Sequence, residues 1–143
     1  MKKNILVVSL LSAILLLTGC GSNKEALLRC KATKSGVDVG FNVGFKGSKV
    51  VKMDLSYDMD LSQYSDAQID LVKEQDFCSS VKSSMKEYEE AFVNCKQEVS
   101  NKHLLVTSDL DVDKVAKNEL QKFATPEDTK KELEKTGYTC TIE

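Results

Sequence analysis

Val37, Val39, Phe41, Val43 and Phe45 alternate without a break with Asp38, Gly40, Asn42 and Gly44, the period of two that predicts a strand with one buried face. After the turn Lys46-Gly47-Ser48-Lys49 the alternation resumes. Val51, Met53, Leu55, Tyr57, Met59 and Leu61 interleave with Lys52, Asp54, Ser56, Asp58 and Asp60, giving a second long strand and a hairpin. Ala26, Leu28, Cys30 and Ala32 carry the same period upstream and lead through Lys34-Ser35-Gly36 into the first of these strands. The N-terminal half therefore opens as a three-stranded meander.

The period changes beyond Asp60. Ser65-Asp66-Ala67-Gln68 has the form of a capping box, in which the hydroxyl and the glutamine side chain each satisfy an unpaired amide at a helix start. Phe77, Val81, Met85, Tyr88 and Phe92 then keep a helical stripe, with Lys82, Lys86, Glu87 and Glu90 away from it. Ile69 and Val72 fall off that stripe, which predicts a bend or break near Gln75-Asp76. Val93, Cys95, Gln97 and Val99 return to period two, Ser100-Asn101-Lys102 forms a turn, and Leu104, Val106, Ser108 and Leu110 make the returning strand. Val115, Ala116 and Leu120 predict a short helix. Thr125-Pro126-Glu127-Asp128 supplies a capping hydroxyl and a first-turn proline for another, which ends at Gly137. Tyr138, Cys140 and Ile142 form a last strand. The order β-β-β-α-β-β-α-α-β predicts an α+β fold, a mostly antiparallel sheet from two hairpin units packed with helices.

The N-terminus reads differently. Lys2 and Lys3 precede thirteen uncharged residues, Ile5 to Leu17, a run short of the roughly 20 apolar residues a spanning helix needs. This predicts a signal peptide over residues 1–19. Leu17-Thr18-Gly19-Cys20 resembles the lipobox of bacterial lipoproteins. The resemblance implies that Cys20 takes a diacylglyceryl group on sulfur, that cleavage before it makes it the new N-terminus, and that small Thr18 and Gly19 admit the peptidase. Residues 20–25 would then be the lipidated N-terminus and a short tether, and residues 26–143 a single α+β domain. Two acyl chains anchor stably where one binds only marginally.

Composition bounds the partners. With 41% hydrophobic and 29% charged residues the chain belongs with globular domains rather than disordered or collagen-like ones, and a formal charge of −2 gives no reason to expect nucleic acid. Without Lys2 and Lys3 there are 18 basic residues against 22 acidic, a formal net of −4, so the domain is expected to gain nothing from anionic headgroups, and the lipid rather than a basic face to hold it at the membrane. Only Arg29 among the 20 basic residues is arginine, a bias that AT-rich coding favours. It suggests a Gram-positive cell plan, with the protein on the outer leaflet of the cytoplasmic membrane.

The turn Phe45-Lys46-Gly47-Ser48-Lys49-Val50 between two long strands and the ending Leu133-Glu134-Lys135-Thr136-Gly137-Tyr138 before a last short strand, together with the lipobox, resemble the YehR-like family of small bacterial lipoproteins. The resemblance runs over nearly the whole mature chain. It implies a small α+β domain on a lipid anchor and brings no catalytic residues.

Five cysteines leave an even set once Cys20 is assigned to lipid: Cys30, Cys78, Cys95 and Cys140. In an exported domain two disulfides are the expected use, and three pairings are open. Cys30 and Cys140 sit on apolar strand faces near the two chain ends, and Cys78 and Cys95 flank one helix-to-strand return, which favours those two pairs. No Cys-x-x-Cys occurs, so neither a zinc nor a thioredoxin-like site is expected. Asp109, Asp111 and Asp113 alternate as if for calcium, but an EF-hand needs Gly at its sixth position and Glu at its twelfth, where Lys114 and Leu120 stand. Asp111 or Asp113 as a helix cap and Asp109 as a solvated strand residue are the better readings. Asp54, Asp58 and Asp60 read as a polar strand face whose charge discourages edge pairing. His103, the one histidine, adjoins Lys102 at a turn and reads as a surface residue with no orienting acid nearby.

No hydrolase, nucleotide or metal motif is present, so no catalytic residue, cofactor or metal is expected. Gly40 and Gly44 lack side chains on one strand face, which either admits a helix or ligand or belongs to a twisted strand. An apolar groove there would favour binding, whereas converging Asp, Glu and Lys would favour catalysis. The expectation is a non-enzymatic, lipid-anchored extracytoplasmic lipoprotein that binds an envelope protein or small molecule. An extracytoplasmic enzyme or an accessory subunit of a membrane transporter are the alternatives.

Overall fold

The alternating segments pair into one sheet. A computed structural model describes residues 24–143; the expected signal peptide, Cys20 and most of its tether lie outside the described residues. Strands β1 (Glu25–Lys34), β2 (Val37–Lys46), β3 (Lys49–Asp60), β4 (Phe92–Ser100), β5 (His103–Leu110) and β6 (Thr139–Ile142) stand in the order β4-β5-β3-β2-β1-β6, every neighbour antiparallel. Helices α1 (Asp66–Lys73), α2 (Phe77–Ser84), α3 (Lys117–Leu120) and α4 (Pro126–Lys135), with 3-10 turns at Lys86–Ala91 and Val112–Lys114, complete the α+β fold in the order expected.

The turns set the register. Ser35 and Gly36 have φ of 52° and 79°, and Asn101 and Lys102 of 49° and 59°, so both two-residue loops use left-handed central residues, the twist that suits a tight hairpin. The register then aligns Cys30, Phe41, Leu55 and Ser108 in one row across the sheet, and Leu28, Val43, Met53 and Leu110 in the next. These rows form an apolar floor. Phe45, Leu28, Met53 and Val43 are almost wholly buried on it, beneath Tyr88, Leu120, Phe123 and Leu133. A second cluster of Leu61, Ile69, Leu104 and Val106 is covered by Val72, Phe77 and Val81 of α1 and α2.

The helical stripe from Phe77 to Phe92 does not form one helix. Ser65 and Gln68 make the expected capping box for α1, and α1 ends before Gln75. Asp76 caps α2 by accepting from Ser79 N–H at 2.9 Å, while Gln97 of β4 accepts from Phe77 N–H at 2.9 Å and donates to the Gln75 carbonyl at 2.7 Å. The polar groups freed by the break are thereby satisfied. Helix α2 stops at Ser84, the chain tightens into the 3-10 turn, and Phe92 begins β4. Three of the stripe's last residues, Met85, Tyr88 and Phe92, still reach the core, but from three different local structures.

The reading of Asp54, Asp58 and Asp60 as a guard against edge pairing is corrected by the topology. Strand β3 lies inside the sheet, between β2 and β5; the edges are β4 and β6. Those aspartates answer to neighbours on the same face instead.

Two disulfides fasten this arrangement. Cys30 and Cys140 are direct partners on β1 and β6 with Cα atoms 4.1 Å apart, and Cys78 and Cys95 tie α2 to β4. Leu27 and Glu143 exchange both backbone hydrogen bonds at 2.9 Å, so by alternation Cys30 and Cys140 occupy a non-hydrogen-bonded position, where Cα atoms approach most closely. The bridges close spans of 110 and 17 residues. In the chain-entropy account, Cys30→Ala/Cys140→Ala should lose roughly 4 to 5 kcal/mol and Cys78→Ala/Cys95→Ala roughly 3 kcal/mol in urea denaturation. The reverse ranking would count against loop closure as the source of the stability. Alkylation of the native protein without reductant should leave all four cysteines unmodified by mass.

Candidate functional site

Among the described residues, the helices pack on one face of the sheet. The other carries the alternate residues of each strand, in rows set by the register. Thr139, Lys31, Gly40, Ser56, Thr107 and Lys96 form the middle row. Arg29, Asn42, Asp54 and Asp109 lie in the row toward the β2–β3 turn, and Thr33, Asp38, Asp58 and Leu105 in the row toward the other end. The middle row is a trough because Gly40, Ser56 and Thr107 are small. Two hollows of about 490 and 530 Å³ open on it, with Ser56 in the wall of both.

Gly40 and Gly44 serve β3 rather than a helix or ligand. A Cβ on Gly40 would overlap the Ser56 hydroxyl, and one on Gly44 would come within 3.1 Å of the Lys52 Cβ. The missing side chains are thus filled from the adjacent strand.

Electrostatically the face is a set of local pairings. Asp54 stands opposite Asp109, and Asp38 opposite Asp58, juxtapositions that repel unless donors intervene. Donors do intervene. Asn42 donates to Asp54 at 2.7 Å with Lys52 3.6 Å away, Asn94 donates to Asp109 at 3.3 Å, and the Thr33 hydroxyl donates to Asp38 at 2.5 Å. Asp58 takes His103 Nδ1 at 2.7 Å. His103 is on the surface, as its sequence context suggests, but it does have an orienting acid, 45 residues away in sequence and brought alongside by β3–β5 pairing. The Asp58 hydrogen bond and charge raise the imidazole pKa above its ordinary value, with Asp60 and Asp38 adding to the effect. Lys31 and Lys96, at the two ends of the trough, are exposed and without an ion-pair partner among the described residues.

The remaining candidates are dispersed. Asp109 lies on the open face, and Asp111 caps the 3-10 turn at Val112 by accepting from Asp113 N–H, with Lys114 3.6 Å away. No group of three His, Cys, Asp or Glu side chains among the described residues is arranged to hold a metal. A second polar cluster is structural: Glu119 accepts from Lys122 at 2.7 Å and from the Tyr88 hydroxyl at 3.2 Å, fixing the 3-10 turn to α3. Burial, with the Glu119 charge beside it, pushes the Tyr88 phenol up to about 12. The large exposed apolar residues Val51, Tyr64, Leu71, Leu105 and Ile142 are spread over different elements. The face near Gly40 is therefore a polar trough with an apolar margin at Leu105, able to offer ammonium, hydroxyl, amide and carboxylate groups to a polar ligand.

Comparison with known proteins finds no matching family model and no matching curated protein. Among solved structures, the chain is similar to an NMR structure of a protein from Streptococcus pneumoniae TIGR4, at 15% identity and TM-score 0.46, over 81% of this chain and 85% of that one. It is also similar to the NMR structure of the E. coli YehR protein, at 15% identity and TM-score 0.44, over 80% of this chain and 79% of that one.

Two outcomes are expected here. In an NMR titration the His103 imidazole should titrate above about 6.5, and Asp58→Asn should lower its midpoint. Because the folded pKa is the raised one, the pair's stabilisation is full below the unfolded pKa and fades as pH rises through the folded pKa. An unchanged midpoint in Asp58→Asn would refute the pairing in solution. Separately, Gly40→Ala should cost about 1 kcal/mol by crowding Ser56, and the cost should vanish in the Ser56→Ala background.

Proposed function

We propose that this chain is a bacterial lipoprotein of the YehR-like kind, held at the extracytoplasmic face of the membrane by lipid on Cys20, with its domain acting as a binding or envelope-interaction module. The observation that carries the reading is Leu17-Thr18-Gly19-Cys20 directly after a charged start and an apolar run. The cysteine chemistry supports it. Two bridges use Cys30 with Cys140 and Cys78 with Cys95, leaving Cys20 as the fifth, and structural disulfides belong to oxidising compartments. The sequence around the β2–β3 turn and the end of α4 supports the family reading. Among the described residues no helix is long and apolar enough to cross a membrane.

Binding is favoured over catalysis by the character of the open face. Asp54, Asp109, Asp38 and Asp58 are already engaged by Asn42, Asn94, Thr33 and His103, and the His103–Asp58 pair is exposed at the sheet end rather than enclosed with a nucleophile. The two unpaired lysines bordering the small-residue trough suit a polar or anionic ligand. Cys20→Ala should release the protein from the membrane fraction and abolish incorporation of labelled palmitate. Undiminished labelling of that variant would overturn the anchor assignment.

A further inference from the structure

We propose that the domain stands on the membrane on the tip of its β2–β3 turn, with Lys24, Lys46 and Lys49 against anionic phospholipid headgroups. The proposal rests on the Cys20 anchor and adds an orientation and a surface to it. The first observation is where the chain enters the fold. Gly47 N–H donates to the Lys24 carbonyl at 2.9 Å, so the residue that receives the tether is fastened to the turn itself. Residues 21–23 alone separate Cys20 from Lys24, a reach of at most roughly 14 Å. Strand β2, ten residues long, spans roughly 33 Å. The tether therefore keeps the turn end near the headgroups, and charge decides whether the domain stands or lies flat.

The charge is segregated along the strands. Lys24, Lys46 and Lys49 are all exposed around Gly47-Ser48, and half-exposed Val51 follows them. Glu25 stands beside Lys24 and opposite Lys46 in the β1–β2 register, and Asp113 lines a hollow with Lys49, so the three lysines exceed the carboxylates next to them by one charge; farther off, Glu143 pairs with Arg29 at 3.0 Å, Asp54 with Lys52 at 3.6 Å and Asp111 with Lys114 at 3.6 Å. The opposite end carries Asp38 on β2, Asp58 and Asp60 on β3 and Asp66 just beyond, which outnumber the cations there, Lys34, Lys102 and His103. An anionic surface attracts the first end and repels the second, although the net charge of the domain is negative. Standing upright, the protein holds the hollow bounded by Lys31, Thr33, Asp38 and Asp58 outward, about a strand length from the bilayer.

The test uses the full lipoprotein in phosphatidylcholine vesicles with and without phosphatidylglycerol, treated with an amine-acylating reagent and read by peptide mass spectrometry. Rates are normalised to the same protein in detergent. With phosphatidylglycerol, Lys24, Lys46 and Lys49 should react roughly fivefold more slowly than Lys34 and Lys102, the factor expected from the attraction of about one lysine to an anionic surface. The protection should shrink at high salt and without phosphatidylglycerol. Lys46→Glu/Lys49→Glu, changed only at exposed turn positions, should stay vesicle-bound yet lose protection of Lys24. An acylated protein whose tip lysines react as in detergent, or whose Lys31 and Lys96 are protected instead, overturns the orientation alone. Absence of acyl mass on Cys20 overturns both the anchor and the orientation.

Discussion

Cys30 and Cys140 face each other across β1 and β6, and through them the two ends of the described chain become neighbours in one sheet. The rest of the architecture depends on that pairing. Strand β6 has only four residues, too few to hold its place by backbone hydrogen bonds alone, and it is reached through α4, whose C-terminal turn closes at Gly137 with φ of 93°. Fixing β6 beside β1 therefore also fixes α4 over the sheet, where Leu133 and Tyr138 join the larger core cluster. The Arg29–Glu143 ion pair on the opposite face is a by-product of the same register, and its exposure makes it a minor contributor.

Among the described residues, covering one face leaves the other without a layer. A sheet of six antiparallel strands tolerates this when the uncovered residues are polar, and the strict alternation of β2 and β3 supplies them. The consequence is chemical as well as structural. Side chains far apart in sequence are brought into rows, and their charges must be reconciled across strands. The Asp54–Asp109 and Asp38–Asp58 juxtapositions are relieved by Asn42, Asn94, Thr33 and His103, which makes the open face an interlocked polar surface. The lysines at the margins of the trough stand outside that network.

Much of the framework was legible because the strands announce themselves with a period of two and the caps with specific residue types. Ser65 with Gln68, Thr125 with Pro126, and the turns at Ser35-Gly36 and Asn101-Lys102 are local signals, and local hydrogen bonding decides them. What was not legible is non-local. The stripe from Phe77 to Phe92 has helical spacing, yet Asp76 and Gln97 make a break more favourable at its start, and the entry into β4 overrides it at its end. Reading Asp54 and Asp58 as edge protection failed because strand order depends on β5 crossing back to pair with β3, which no local pattern encodes. His103 was placed at the surface by its neighbours in sequence, whereas its partner Asp58 is a neighbour only in register.

The same distinction applies to charge. A formal net of −4 for the chain without Lys2 and Lys3 is a sum, and a charged surface close by responds to position instead. Folding places Lys46 and Lys49 on either side of one turn, brings Lys24 to it through the Gly47 hydrogen bond, and sends Asp38, Asp58 and Asp60 to the far end of strands whose length exceeds several screening lengths. An acidic domain thereby gathers three lysines at the turn to which Lys24 is fastened. In the proposed anchoring at Cys20 that tip is the part of the domain the membrane meets first, and its local sign then sets how the domain sits even where the total sign opposes it.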